Sequence, residues 1–325
     1  MMIKIVEPLS IHPQALQRLM TPLQNQGYTV IAYDQAAAST DELILRCADA
    51  DILVIANQPF PASVIEASKN LKMISVAFTG IDHLGGLNDI RERGITVCNA
   101  AGYSNHSVAE LVLGLTLNLL RNINAANMAT RTSGTIAGLI GNELRGKIVG
   151  VIGTGRIGLQ TAALFQAFGC PILGYNPSIK QQGLQMGIQY KEFDQVISES
   201  DIVTLHLPLT PDTKGVLSGE KLALMKPTSL LINCARGPIV DNQALADALN
   251  KGQIAGAGID VFDMEPPLPN DYPLLKATNA LLTPHYAFAT AESMVRRAEI
   301  AIGNVTAYIN EKPENVIISP SPVRN

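Results

Sequence analysis

Basic tracts, paired cysteines and long apolar runs are all missing from this sequence, and each absence removes a class of function. Lys and Arg number 24 against 28 Asp and Glu, a net charge of -4, and no cluster of cations interrupts the balance. Electrostatic capture of nucleic acid or anionic lipid therefore has nothing to act through. Cys47, Cys98, Cys170 and Cys234 lie far apart with no CxxC pair. That excludes a disulfide framework and a cysteine metal knuckle, and it suits a reducing, cytoplasmic setting without a metal. The longest apolar stretch, "LVLGLTLNLL" at 111–120, is about half the roughly 20 residues needed to span a bilayer, and it carries Asn118. The opening "MMIKIVEPLS" has charges inside its only apolar run, so it reads as a strand start and not as a signal peptide. What remains is an ordinary globular composition, 47% hydrophobic and 16% charged over 325 residues. That length suits two domains and small-molecule partners.

Short β-type runs recur along the chain with helical segments between them: "IKIVE", "YTVIAY", "DILVIA", "LKMISVAF" and "GITVC", then "KIVGVIG", "PILGY", "DIVTLHL", "TSLLINC", "AGAGIDV" and "NALLTPH". Such alternation predicts parallel sheets covered by helices, and strands apolar throughout agree because both their faces are buried. There are two series, hence two α/β units. The break falls near a long helix over 107–121, whose apolar face suits either core or interface, and a second helix over 291–309 closes the chain.

"KIVGVIGTGRIG" places Gly153, Gly155 and Gly158 in a GxGxxG cluster directly after a strand, with Arg156 and Ile157 opening the following helix. The first glycine permits a tight turn, the second lets backbone approach a pyrophosphate, and the third lets helix and strand pack closely. The helix N-terminus adds free N–H groups and a positive dipole. A ligand-free glycine turn is the bland alternative, and the flanking strand and helix argue against it. About twenty residues on, where a carboxylate normally grips the ribose, stands Asn176. An amide can bond a ribose hydroxyl but does not repel a 2′-phosphate. NAD is the expected cofactor, with NADP tolerated or preferred, although Asn before Pro is also a common turn former.

Three polar residues follow strands of the second series, where an open α/β sheet presents ligands. Arg236 follows "LLINCA", Glu265 follows "GIDVFDM", and His285 follows "LLTP". Arg forks onto carboxylates, His exchanges protons near neutral pH, and Glu orients His and stabilises its charged form. Singly, each is more often a solvated charge or a structural ring; jointly they describe a 2-oxo or 2-hydroxy acid site.

With these residues in place the chain resembles the D-isomer-specific 2-hydroxyacid dehydrogenases. The resemblance rests on "SDIVTLHLPLTPDTKGVLS", "MKPTSLLINCARGPIVDNQALADAL", "AGAGIDVFDMEPP" and "LLTPHYAF", in the family's order from about residue 70 onward. It implies a Rossmann NAD(P)-binding domain, 104–290, inserted into a flavodoxin-like substrate domain, 1–103 and 291–325, with two long helices as crossovers and closure excluding water. It also implies that Arg236 holds the substrate carboxylate, His285 donates the proton and Glu265 partners it. His206, Pro208, Ala235 and Asp260 would line the cofactor, and backbone N–H groups of Ala77, Phe78, Thr79 and Gly80 would meet the carboxylate. Homodimers are common in the family. Tryptophan, which relatives often carry near 132–146, is absent without catalytic meaning. "VIANQPF" at 54–60 lacks the arginine that phosphoglycerate-oxidising relatives place there, and no appended amino-acid-sensing domain is expected after 325. Phe78, Tyr103, Tyr286 and Phe288 would shape an apolar pocket for glyoxylate, hydroxypyruvate or a larger 2-keto acid, or else pack as core. The rivals are an NAD(H)-sensing corepressor-like binding protein and a 3-phosphoglycerate dehydrogenase.

Overall fold

In a computed structural model, residues 1–319 are described; of the expected 291–325 segment, 320–325 lie outside the described residues. The chain runs β1 (Met2–Ile5), α1 (Pro13–Asn25), β2 (Thr29–Ala32), α2 (Thr40–Cys47), β3 (Ile52–Ile55), α3 (Ala62–Ala67), β4 (Met73–Val76), α4 (Leu87–Glu92) and β5 (Thr96–Asn99). Next come α5 (Asn105–Arg121), α6 (Ile123–Arg131), β6 (Val149–Ile152), α7 (Arg156–Ala167), β7 (Ile172–Tyr175), α8 (Gln181–Gln185), β8 (Gln189–Tyr190) and α9 (Phe193–Glu199). Then follow β9 (Ile202–Leu205), α10 (Gly219–Leu222), β10 (Leu230–Asn233), α11 (Asn242–Asn250), β11 (Gly256–Ile259), β12 (Ala280–Leu282), α12 (Ala291–Ile309) and β13 (Val316–Ile318). Two compact units emerge, one from residues 1–104 together with 289 onward, the other from 105–288.

The first unit holds a six-stranded sheet in the order β13-β5-β4-β3-β1-β2. All pairs are parallel except β13 on β5, an antiparallel edge. Alternate residues of one strand feed opposite cores: Ile52 and Val54 pack with Ile3, Met73 and Ala298, whereas Leu53 and Ile55 pack with Leu43, Ile65 and Val76. That two-sided burial is why these strands read as continuous apolar runs.

In the second unit seven parallel strands run in the order β12-β11-β10-β9-β6-β7-β8. Strand order reverses between β6 and β9, the switch point at which open α/β sheets bind ligands. Val108, Val112 and Leu115 of α5 pack with Leu159, Ala162 and Phe165 of α7, so the apolar face of the long helix belongs to this unit's core. The same helix lies so close to the sheet that a Cβ at Gly258 of β11 would sit 3.0 Å from the Leu115 Cβ. Strands β8 and β13 have no counterpart in the sequence reading, because two residues in one and a three-residue, mostly exposed edge in the other carry too little periodicity to register.

Candidate active site

The glycine loop sits at the switch point. Gly153 has φ +99°, a conformation that a side chain disfavours, and a Cβ there would lie 2.7 Å from the His206 carbonyl oxygen at the end of β9. Gly158 is closed just as firmly, since its Cβ would meet the Gly153 carbonyl oxygen at 2.0 Å. Gly155 faces open space, with nothing within 4 Å of a Cβ. It is also the N-cap of α7, where no side chain satisfies the first-turn N–H groups. Two glycines locked by packing, one open glycine and an uncapped helix start make a cradle that fits a dinucleotide pyrophosphate. Arg156 is exposed and Ile157 half-buried at the start of that helix.

Asn176 leaves β7 and braces the loop. Its Oδ1 accepts the Thr154 N–H at 3.1 Å while its Nδ2 donates to the Ser178 carbonyl at 2.8 Å. Tyr190 adds a hydrogen bond from its hydroxyl to Thr154 Oγ1 at 2.8 Å. His206 places Nε2 3.0 Å from Thr204 Oγ1, and burial pushes its pKa down to about 3, so the ring is neutral near pH 7. Pro208 is exposed with its carbonyl accepting from Thr213, and Ala235 is half-buried beside Arg236.

Arg236, Glu265 and His285 leave three adjacent parallel strands. Asn233 of β10 pairs with Ile259 of β11, which pairs with Leu282 of β12, so the three loops begin at one edge. The imidazole Nδ1 of His285 lies 2.9 Å from both Glu265 oxygens, leaving Nε2 as the nitrogen able to serve a substrate. Glu265 is 75% exposed and the imidazole 30%. His285 has φ +52°, which costs a non-glycine residue energy unless neighbours enforce it. Asp260 is the enforcer. Fully buried, it accepts the Thr283 hydroxyl at 2.6 Å and the N–H groups of Tyr286 and Ala287 at 3.0 and 2.9 Å, and its carbonyl accepts the His285 N–H at 2.8 Å. Burial raises the Asp260 carboxyl above its ordinary pKa, those donors opposing the rise.

Arg236 is shaped by Asn233, a buried amide that the sequence reading missed. Its Nδ2 donates to the Arg236 carbonyl at 3.0 Å and its Oδ1 accepts the Ala235 N–H at 3.0 Å. A polar residue closing the apolar run "LLIN" was the available signal. Gly237 lets the β10 and β11 loops nearly touch, because a Cβ there would fall 1.9 Å from the Phe262 carbonyl. Among the described residues no group of three or more His, Cys, Asp or Glu side chains is arranged to hold a metal, and no helix is long and apolar enough to cross a membrane.

In the first unit the 77–80 loop leaves β4. Ala77 donates its N–H to the Ile55 carbonyl. The Phe78 carbonyl accepts the Ala100 N–H at 2.9 Å, and the Thr79 carbonyl accepts Asn99 Nδ2 at 2.8 Å. Across a trans peptide the N–H points opposite to the C=O, so the Thr79 and Gly80 N–H groups face away from the β5 exit. Neither has an acceptor among the described residues. Two adjacent donors aimed one way make a backbone nest of the kind that suits an anion. Tyr103 is buried, its ring against Phe78 at 5.8 Å, whereas Tyr286 is exposed.

Comparison with known proteins is consistent across sequence and structure. Residues 113–287 match the family described as D-isomer specific 2-hydroxyacid dehydrogenase, NAD binding domain. The chain is 35% identical over 301 residues to a hydroxypyruvate reductase of Blautia hydrogenotrophica, covering 88% of this chain and 91% of the relative. An acyclic imino acid reductase in complex with NADPH and D-Arg superposes with a TM-score of 0.86 at 29% identity, over 98% of this chain and 100% of the other. D-lactate dehydrogenase from Aquifex aeolicus, complexed with NAD and lactic acid, gives 0.85 at 26% identity, over 99% and 100%.

Proposed function

The chain belongs to the D-isomer-specific 2-hydroxyacid dehydrogenase family and is an NAD(P)-dependent oxidoreductase; from that premise we propose that it reduces a small, non-phosphorylated 2-keto acid to the D-2-hydroxy acid, with Arg236, His285 and Glu265 as its catalytic residues. The observation that carries this reading is the His285–Glu265 pair, with both carboxylate oxygens 2.9 Å from Nδ1 and Nε2 left to the substrate.

Hydride exchange at C2 is the chemistry that a bound nicotinamide dinucleotide supplies. Gly153, Gly155, Arg156, Ile157 and Gly158 would hold its pyrophosphate, Asn176 its ribose, and His206, Pro208, Ala235 and Asp260 its nicotinamide end. Arg236 would fork onto the substrate carboxylate and polarise the keto oxygen, since a planar guanidinium matches that pair of acceptors. By the family resemblance, the Thr79 and Gly80 N–H groups would also meet the substrate carboxylate. His285 would give its Nε2 proton to the C2 oxygen as charge develops there, and Glu265 would stabilise the imidazolium before transfer and hold the ring after it. In the reverse direction the same nitrogen takes the hydroxyl proton.

Hydroxypyruvate and glyoxylate fit this reading, and the absence of any cation in 54–60 argues against a phosphorylated acid. Asn176 adds no charge to exclude a 2′-phosphate, so we infer use of both NAD and NADP. Four buried free thiols support a reducing, cytoplasmic setting. Exposed Ile123, Met128, Ile136 and Ile140 support a homodimer formed through the second unit. The relatives are oxidoreductases, which does not favour a cofactor-sensing binding protein. NADH and NADPH oxidation followed against glyoxylate, hydroxypyruvate, pyruvate, branched 2-keto acids and 3-phosphohydroxypyruvate tests the reading. Turnover of one or more unphosphorylated acids is expected; turnover of the phosphorylated acid alone rejects the substrate class, and no turnover with any acid rejects the enzyme reading.

A further inference from the structure

The first unit buries two opposite charges that take no part in the chemistry described above. Glu7, at the exit of β1, is 4% exposed, and Arg297, within α12, is 2% exposed. Glu7 accepts the N–H groups of Ala56 at 2.7 Å and Gln58 at 3.0 Å, fixing the loop after β3. Arg297 donates from Nη2 to the Leu9 carbonyl at 2.8 Å, holding the loop after β1. Its guanidinium carbon lies 4.9 Å from the centre of the Phe78 ring, which also meets the Tyr103 ring at 5.8 Å in a T-shaped pair. Each charge opposes the desolvation of the other. Three loops at the strand exits of one sheet are thus tied through one acid and one base.

Such a pair is a poor device for stability. Burying two charges carries a desolvation cost that well-packed apolar side chains of the same volume avoid. The Arg297 Nε–H is buried with no hydrogen-bond partner, a further cost that a plain core would not accept. What the pair does supply is direction: a rigid planar cation fixed under the ring of Phe78, the residue whose carbonyl shares a peptide plane with the Thr79 N–H.

We propose that Arg297, supported by Glu7, is a positioning residue for substrate: by clamping Phe78 it sets the aim of the Thr79 and Gly80 N–H groups, and its positive charge under that nest favours an incoming carboxylate. The inference rests on the reading that those two N–H groups bind the substrate carboxylate. It adds the origin of their alignment and a second source of anion affinity.

The test compares steady-state kinetics and thermal stability of R297M, R297K and the double variant E7Q/R297M, in which the residue 7 amide oxygen still accepts from the loop after β3. Removing Arg297 alone leaves Glu7 uncompensated and lowers Tm, whereas removing both charges restores Tm toward that of the native protein. A purely structural pair predicts that kinetics recover with Tm. The positioning role predicts that KM for the 2-keto acid stays raised at least about tenfold in the double variant, with kcat within about threefold and the dissociation constant for NADH unchanged. R297K, which keeps the charge but not the planar fork, should fall between. A double variant with native Tm and native KM overturns the inference. T79P, which removes one donor, separates it from the reading beneath it. A T79P protein with unaltered KM rejects the carboxylate nest and the inference together; raised KM in T79P beside native KM in E7Q/R297M rejects the positioning role alone.

Discussion

His285 has two nitrogens with different duties, and a single substitution separates them. H285A removes the proposed proton donor and should lower kcat by about 10²- to 10⁴-fold, while fluorescence titration with NADH gives a dissociation constant close to native. Near-native turnover would remove His285 from the chemistry. E265Q keeps a hydrogen-bonding partner for Nδ1 but not the charge that steadies the ring as it gives up its proton, so a smaller loss of kcat than in H285A is expected. His206 makes a separate prediction about stability. Its ring titrates near 6.5 in an unfolded chain but only about 3 in the folded one, because burial disfavours the cation. Below pH 6.5 the unfolded chain takes a proton that the folded protein refuses. Its contribution is therefore intact above 6.5 and is lost progressively as pH falls from 6.5 toward 3, at no more than about 1.4 kcal/mol per pH unit. Urea midpoints of cofactor-free native and H206N protein, taken at pH 7 and pH 5, should diverge by about 2 kcal/mol at the lower pH. Parallel behaviour at the two values would show that His206 is free to protonate in the fold.

At the scale of elements, close approach between strand exits decides the geometry. Gly237 brings the loop carrying Arg236 against the loop leading to Glu265, with no room for a methyl group. G237A must push the two loops apart, so kcat/KM should fall at least about 100-fold even if the variant folds, because misplacement of about 1 Å is that damaging. A variant with native kinetics would mean that the two loops act independently. The β7 exit offers a different handle. In N176D the Oδ1 bond to Thr154 survives, but a carboxylate oxygen replaces the donor that now meets Ser178. The added charge should shift the ratio of kcat/KM values toward NAD by about tenfold or more, and an unchanged ratio would place the 2′-position out of reach of residue 176. These cases also show what a sequence makes legible. Eleven apolar runs, the glycine cluster and three polar residues at strand exits could be found because each signal is local: a period, a spacing, a charge after a hydrophobic stretch. Asp260 was assigned to cofactor by resemblance, yet its partners at 283, 286 and 287 lie more than twenty residues away in sequence, and no periodicity encodes which donors will converge on a buried carboxylate. Arg297 was hidden for the same reason, since a cation on a helix reads as a solvated face until the strands beneath it are placed.

For the whole molecule, the open question is what covers the segment that follows α5. Helix α6 has no buried residue, although Ile123 and Met128 are 50% and 58% exposed on it, and Ile136 and Ile140 are 78% and 88% exposed just beyond. Isolated apolar side chains on a surface need no explanation, but four within eighteen residues leave a segment with apolar side chains that none of the described residues buries. A second copy of the chain is the covering that the homodimer reading supplies, and a C2 arrangement would bring the same segment of each subunit into the contact. Val108, Val112 and Leu115 of the 107–121 helix do not supply this contact, because they are already committed to the core with α7. I136D/I140D places two charges per chain in the surface that would become buried. Sedimentation velocity should then show a mass near the 34.7 kDa of one chain in place of about twice that, while NADH binding, which needs only the glycine loop and its neighbours, persists. A variant that remains dimeric would assign the contact to another surface, and native protein that sediments as a monomer would leave these side chains to a different partner.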